Sequence, residues 1–182
     1  MRVLVAYASR HGSTEGIARR IADDLCAAGF DAEPRKVGQV SDLRPYGAVV
    51  VGSAVYIQHW LRDATSFVMG HHAELAGVPV WLFSSGPLGT EDVDTSGRDV
   101  FEATRPKEWD DVAPAVGSRG ERVFRGAWDD HLPPVGIAER MLRLMPATRD
   151  SMPVGDFRDW DAIDAWASQI AGELRQLESA GT

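Results

Sequence analysis

Ser9-Arg10-His11-Gly12-Ser13-Thr14 stands between a short apolar run and the first helix-period segment of the chain. Three hydroxyls and one glycine sit where a strand hands over to a helix, so side-chain oxygens and backbone N–H groups gather at a helix N-terminus. Such an end attracts a phosphate dianion through its aligned amides and its dipole. No lysine follows Gly12, which excludes a nucleoside-triphosphate P-loop, and no G-x-G-x-x-G offers a dinucleotide pyrophosphate site. A monophosphate suits the loop better. Ser and Thr also cap helices for local reasons, so the loop by itself reads equally as an ordinary capped helix.

Two more turns carry residues suited to the same task. Ser53-Ala54-Val55-Tyr56-Ile57-Gln58-His59-Trp60 combines small residues with aromatics that can lay backbone and an aromatic face on a flat ring. Ser84-Ser85-Gly86-Pro87-Leu88-Gly89 contains glycines that let backbone approach a ligand closely. Each has a plainer reading: Tyr56 and Trp60 can start a helix and pack on the core, and Gly-Pro pairs punctuate any turn.

Other reactive side chains point less clearly to chemistry. His71 and His72 are consecutive, so on a helix they diverge by about 100° and with Glu74 make a poor metal cage. Trp128-Asp129-Asp130-His131 holds potential ligands on a loop, where Trp128 can pack on a ring edge or make an ordinary loop contact. Cys26 reads as a small packing residue rather than a nucleophile. Arg140 and Arg143, among Met141, Leu142, Leu144 and Met145, fit a surface helix with an apolar inner face better than a lipid-facing or quinone-entrance helix.

The elements that must position these residues follow from hydrophobic periodicity. Short β-branched runs alternate with amphipathic segments, the pattern of a parallel sheet covered on both faces: an α/β, doubly wound fold of five strands. The expected strands are Arg2–Tyr7, Ala32–Val37, Ala48–Gly52, Val80–Ser84 and Arg122–Arg125. Helices are expected from about Thr14 to Ala28, with Ile17, Ile21 and Leu25 on one face, from Leu61 to Leu75, and within Pro106–Val116. Ser85 to Thr104 reads as a long loop, Trp128–Pro134 and Thr148–Asp156 as shorter ones, and Ile137–Met145 as a short helix. A last helix, capped by Asp159, aligns Trp160, Ile163, Trp166, Ile170, Leu174 and Leu177 in one stripe. Ligands of such sheets bind at the carboxyl ends of the strands near the switch in strand order, so the three turns above should converge there.

Bulk composition narrows the partners. The chain has 182 residues, 44% of them apolar, enough for one domain with a continuous core. Nineteen Lys and Arg against 27 Asp and Glu give a net charge of -8, which repels polyphosphate backbones and argues against nucleic acid. The single cysteine precludes an intramolecular disulfide framework or a cysteine-based metal cage and points to the cytoplasm. No apolar run approaches the roughly 20 residues of a membrane span.

Taken together, these segments resemble a known family. Tyr7 to Thr14 is similar to the phosphate loop of flavodoxin-like proteins that bind flavin mononucleotide (FMN). Val51-Gly52-Ser53-Ala54-Val55-Tyr56 with His59-Trp60, Phe124-Arg125-Gly126-Ala127 and Arg158-Asp159-Trp160 resemble successive landmarks of bacterial flavodoxin-like, menaquinone-dependent protoporphyrinogen dehydrogenases. The resemblance implies an FMN cofactor, with Ser9, Arg10, His11, Gly12, Ser13 and Thr14 on the phosphate. Ser53, Ala54, Val55, Tyr56 and Ile57, with Ser84, Ser85, Gly86, Pro87, Leu88 and Gly89, then lie beside the isoalloxazine ring. No catalytic side chain is required, because the flavin carries the chemistry. A small-molecule or quinone redox partner is implied, with contact to the inner face of a membrane at most peripheral, and a homodimer is compatible with it. One departure concerns the substrate: those enzymes carry a basic loop after the fourth strand, whereas Gly89 to Asp99 holds Glu91, Asp92, Asp94 and Asp99 against Arg98 alone. The alternative is an electron carrier, its acidic balance suited to basic protein partners.

Overall fold

A computed structural model describes residues 1–129, 131, 133 and 153–180. The helix expected over Ile137–Met145, with Arg140 and Arg143, lies outside the described residues, as do Asp130 and most of the loop expected from Thr148.

Five parallel strands form the sheet: β1 (Arg2–Ala8), β2 (Asp31–Lys36), β3 (Ala48–Tyr56), β5 (Val80–Ser85) and β6 (Gly120–Phe124), in the order β2-β1-β3-β5-β6. A two-residue antiparallel strand, β4 (His59–Trp60), folds back on β3. The chain first passes from β1 to β2 on one side and then crosses to β3 on the other, so the order switches at β1 and β3. Register keeps the strand ends level, with Ala8 beside Ser53, Ser53 beside Ser84 and Ser85 beside Phe124. The turns leaving β1, β3, β5 and β6 therefore open on one edge.

Both sheet faces are covered, which is why β1, β5 and most of β3 are apolar at nearly every position. Val3, Val5 and Tyr7 face α1 (Ser13–Ala27) and the C-terminal helix, whereas Leu4, Ala6 and Ala8 face the opposite layer of α2 (Arg62–Gly70), α3 (His72–Leu75) and others. On the first face Ile17, Ile21 and Leu25 meet Ile163, Trp166, Ile170 and Leu174, all buried. Each such side chain contributes about 1.5–3 kcal/mol of burial. On the second, Phe67, Val68 and Leu75 pack with Trp109, Val112 and Val116.

Several expected boundaries shift for identifiable reasons. The helix expected over Leu61–Leu75 divides at His71, whose φ of −111° interrupts the spiral between α2 and α3. Inside the expected loop Ser85–Thr104, Val93 bridges Asp99, and the Asp99 carboxylate accepts from the N–H groups of Phe101 and Glu102 to start α4 (Val100–Ala103). Pro106 precedes α5 (Trp109–Val116) instead of opening it, its carbonyl accepting from Trp109 N–H. Arg125 leaves β6 rather than ending it. Trp128, expected in a loop, joins Ala127 in β7 (Ala127–Trp128) against β8 (Gly155–Asp156). The last helix, α6 (Trp160–Ala180), is capped as expected: Asp159 Oδ1 accepts from Ala162 N–H at 3.0 Å. Cys26 is exposed rather than packed, its thiol 3.2 Å from the Ala32 carbonyl. Among the described residues no helix is long and apolar enough to cross a membrane.

Candidate functional site

The phosphate-type loop begins where β1 ends. Gly12 takes φ +86° as the residue before α1, a conformation that costs glycine nothing. Its N–H donates to Ser9 Oγ at 3.0 Å, which closes the loop, and its carbonyl accepts from Gly16 N–H at 2.9 Å. Among the described residues no side chain caps this helix, so the reading as an ordinary Ser/Thr-capped helix gives way to an uncapped N-terminus. Thr14 is fully buried in the first turn, and its Oγ1 has no hydrogen-bond partner among the described residues. Burying a hydroxyl without a partner is costly, so an unpartnered one beside open amides marks a place where an acceptor belongs.

Ser13 does something different. Its Oγ accepts from Ala127 N–H at 2.8 Å and lies 3.3 Å from Ser85 Oγ, tying together the turns after β1, β5 and β6. A Cβ at Gly126 would stand 3.2 Å from Ser85 Oγ and 3.5 Å from Ser13 Oγ. His11 meets Trp128 edge to face at 5.3 Å, so the aromatic singled out after the fifth strand stands beside the phosphate-type loop.

Beyond that loop the turns after β3 and β5 face each other. β3 runs on through Tyr56, longer than the expected strand, and turns back through Ile57 and Gln58. The Arg10 guanidinium lies over the Tyr56 ring at 4.8 Å, joining the first turn to the second. Trp60 points the other way, buried against Trp109 with ring centroids 5.8 Å apart, so it belongs to the core. Gly86 is required by the close packing of the two turns: a Cβ there would fall 2.1 Å from Val55 Cγ1. Ser84 is fully buried at the end of β5, its hydroxyl also without a partner among the described residues.

Sequence reasoning named Arg125 only as part of a landmark, and its position explains it. Its guanidinium donates to the carbonyls of Gly89 at 2.6 Å and Glu91 at 3.0 Å and to Asp92 Oδ1 at 2.7 Å, holding the acidic loop to the edge of β6. Within that loop the Asp94 carboxyl is held well below the usual carboxylate range by hydrogen bonds from Ser96 and Arg98. Part of the acidic run is thus spent on its own turn. Arg158 was also undervalued. It lies over the Trp160 ring at 4.4 Å, pairs with Asp156, and reaches the Ser13 carbonyl at 3.4 Å. Gly16 makes room for it, since a Cβ there would meet Arg158 Nη1 at 2.2 Å. That glycine inside a helix was the available signal. His71 and His72 engage Glu74 and the Met69 carbonyl locally.

Comparison with known proteins agrees with this geometry. A model of the flavodoxin domain matches residues 4–129. Protoporphyrinogen IX dehydrogenase [quinone] of Escherichia coli strain K12 is 21% identical over 176 residues, covering 94% of this chain and 95% of that protein. Among solved structures, a mutant flavodoxin from Pseudomonas aeruginosa superposes with a TM-score of 0.58 at 16% identity, over 96% of this chain and 99% of that one. Rubredoxin oxygen:oxidoreductase of Desulfovibrio gigas gives the same TM-score and identity over 96% of this chain, which spans 36% of that longer protein.

A flavodoxin domain indicates FMN, and the residues present fit it: an uncapped helix N-terminus and a buried hydroxyl without a partner among the described residues at one end, glycine-lined turns at the other. Matched to the flavodoxin-domain model over more than half its length, and built on a five-stranded parallel sheet with its turns gathered at the switch point, this chain belongs to the flavodoxin-domain family.

Proposed function

We propose that the chain is an FMN-dependent oxidoreductase, residues 1–182 acting as one unit, that exchanges electrons with a small molecule of the quinone class. The single observation that carries this reading is Thr14, a buried hydroxyl that has no partner among the described residues, at a helix N-terminus that none of them caps, on the sheet edge where three further turns meet. Similarity to the Escherichia coli quinone-dependent dehydrogenase along 94% of the chain supports the choice of partner. Ser9 to Thr14 would hold the phosphate. Ser53 to Ile57 and Ser84 to Gly89 would border the ring, with Ser13 and Arg125 keeping the turns in place. When bound, the flavin supplies acceptance and release of a hydride or single electrons. The protein contributes binding, orientation and exclusion of water.

An uncharged quinone fits better than a porphyrinogen as the small-molecule partner. Propionates arriving along the loop after β5 would meet Glu91 and Asp99, Asp92 being paired with Arg125. The same carboxylates, with the net charge of -8, favour a second reading, a carrier that docks basic redox proteins. The test is to reduce the FMN-loaded protein anaerobically and follow reoxidation by a short-chain quinone, with porphyrinogen oxidation assayed separately. Fast reoxidation by quinone supports the oxidoreductase; transfer only to a protein acceptor supports the carrier.

A further inference from the structure

Ile57 and Gln58 lie side by side in the left-handed region, with φ of 53° and 63°. They are the central pair of the two-residue turn that joins β3 to β4 through the Val55–Trp60 and Tyr56–His59 pairs. A turn of this hand suits Asn-Gly or Asp-Gly, and a β-branched residue there is disfavoured. Packing does not hold Ile57 in place, since it is 80% exposed.

The restraint comes from a distant stretch, residues 103–108. Gln58 Nε2 donates to the Ala103 carbonyl at 2.7 Å, and Lys107 N–H donates to the Gln58 carbonyl at 3.0 Å. Glu108 then grips β4 with both oxygens: Oε1 lies 2.7 Å from His59 Nδ1 and Oε2 accepts from Trp60 N–H at 3.0 Å. Burial pushes the Glu108 carboxyl up, but the hydrogen bonds from Trp60 N–H and His59 outweigh it and leave the group below its usual value. The far side of the turn is fixed as well, Leu61 N–H donating to Ser53 Oγ at 3.0 Å.

We infer that Gln58 and Glu108 are positioning residues for the ring end of the FMN site, holding the β3–β4 turn in a shape it does not keep alone. Glu108 lies outside all three turns of the site and acts through β4. What it positions is the backbone of Val55 to Ile57 and the Ile57 side chain, the wall beside the isoalloxazine. The inference rests on the FMN reading above. Strain concentrated at a site and borne by contacts elsewhere is the usual form of preorganisation.

The experiment titrates FMN and riboflavin separately into cofactor-free protein by fluorescence quenching, with inorganic phosphate as a competitor. Glu108→Ala is expected to weaken both flavins by about 10-fold and to shift the midpoint potential of the bound flavin, leaving phosphate competition unchanged. Glu108→Gln, which keeps an acceptor oxygen, should restore most of the affinity. In an Ile57→Gly background, where the β-branched residue no longer opposes the left-handed conformation, the loss caused by Glu108→Ala should shrink to below about threefold. Equal losses in both backgrounds, or none in either, would overturn the inference. A second readout does not need the cofactor: amide hydrogen exchange across residues 55–60 should accelerate in cofactor-free Glu108→Ala. Unchanged exchange overturns the clamp, whereas failure of the wild type to take up FMN overturns the cofactor reading instead.

Discussion

The two ends of the proposed FMN site are built by opposite means. At the phosphate end the binding features lie within a few residues: Ser9 closes on Gly12, Gly12 turns the chain, and Thr14 sits in the first turn of α1. At the ring end each turn takes its shape from elsewhere. Glu108 and Lys107 hold the turn after β3, and Arg125 holds the turn after β5 through Gly89, Glu91 and Asp92. A phosphate asks for donors pointing at one spot, which a helix end supplies locally. A flat ring asks for walls at a set spacing, and those need bracing by residues outside the contact.

The largest effect that separates the two ends is expected from Thr14→Val. A hydrogen bond to a charged group lost at the phosphate end should lower FMN affinity by about 10- to 100-fold in a fluorescence titration. Because Thr14 Oγ1 is buried with no partner among the described residues, the cofactor-free protein should lose no stability in urea and should gain up to about 1–2 kcal/mol. An equal loss for riboflavin would move Thr14 to the ring end. Arg125→Ala should act the other way round. Freeing the loop after β5 is expected to weaken FMN and riboflavin alike by about 5- to 10-fold, with competition by inorganic phosphate unaffected.

The smallest expected effect concerns the support behind the phosphate end. The hydrogen bond from Arg158 holds the Asp156 carboxyl below its usual range. A depressed folded value makes the stabilisation complete above the unfolded value, near pH 4, and lost as pH falls through the folded one. Unfolding free energy measured from pH 6 downward should therefore fall more steeply in the wild type than in Asp156→Asn. The pair is partly exposed and screened, so the difference should be about 0.3–1 kcal/mol.

The same contrast decides what could be read from the residues alone. Periodicity gave the sheet and its helices because Val49 to Val51 and the Ile163 to Leu174 stripe are buried by the elements next to them. The tight turn at Gly12 leading into α1 was legible because the residues that shape it are contiguous. The pairing of Trp128 with Gly155 and the inward turn of Trp60 were not, since each depends on a partner that periodicity does not reveal, and the helix division at His71 is a backbone change that leaves the apolar spacing intact. Glu108 carried no local signal at all, and Arg125 only that of a landmark. Ser13 was read as one hydroxyl of the proposed phosphate loop and not as the post that joins three turns.

Isothermal titration of cofactor-free protein with FMN and with riboflavin tests the phosphate end most directly, because the two ligands differ only in the phosphate. FMN should bind at least about 100-fold more tightly than riboflavin, and Thr14→Val should shrink that preference by about 10- to 100-fold. Equal affinity for the two flavins, or no uptake of either, would contradict the assignment of Ser9 to Thr14 as the phosphate site.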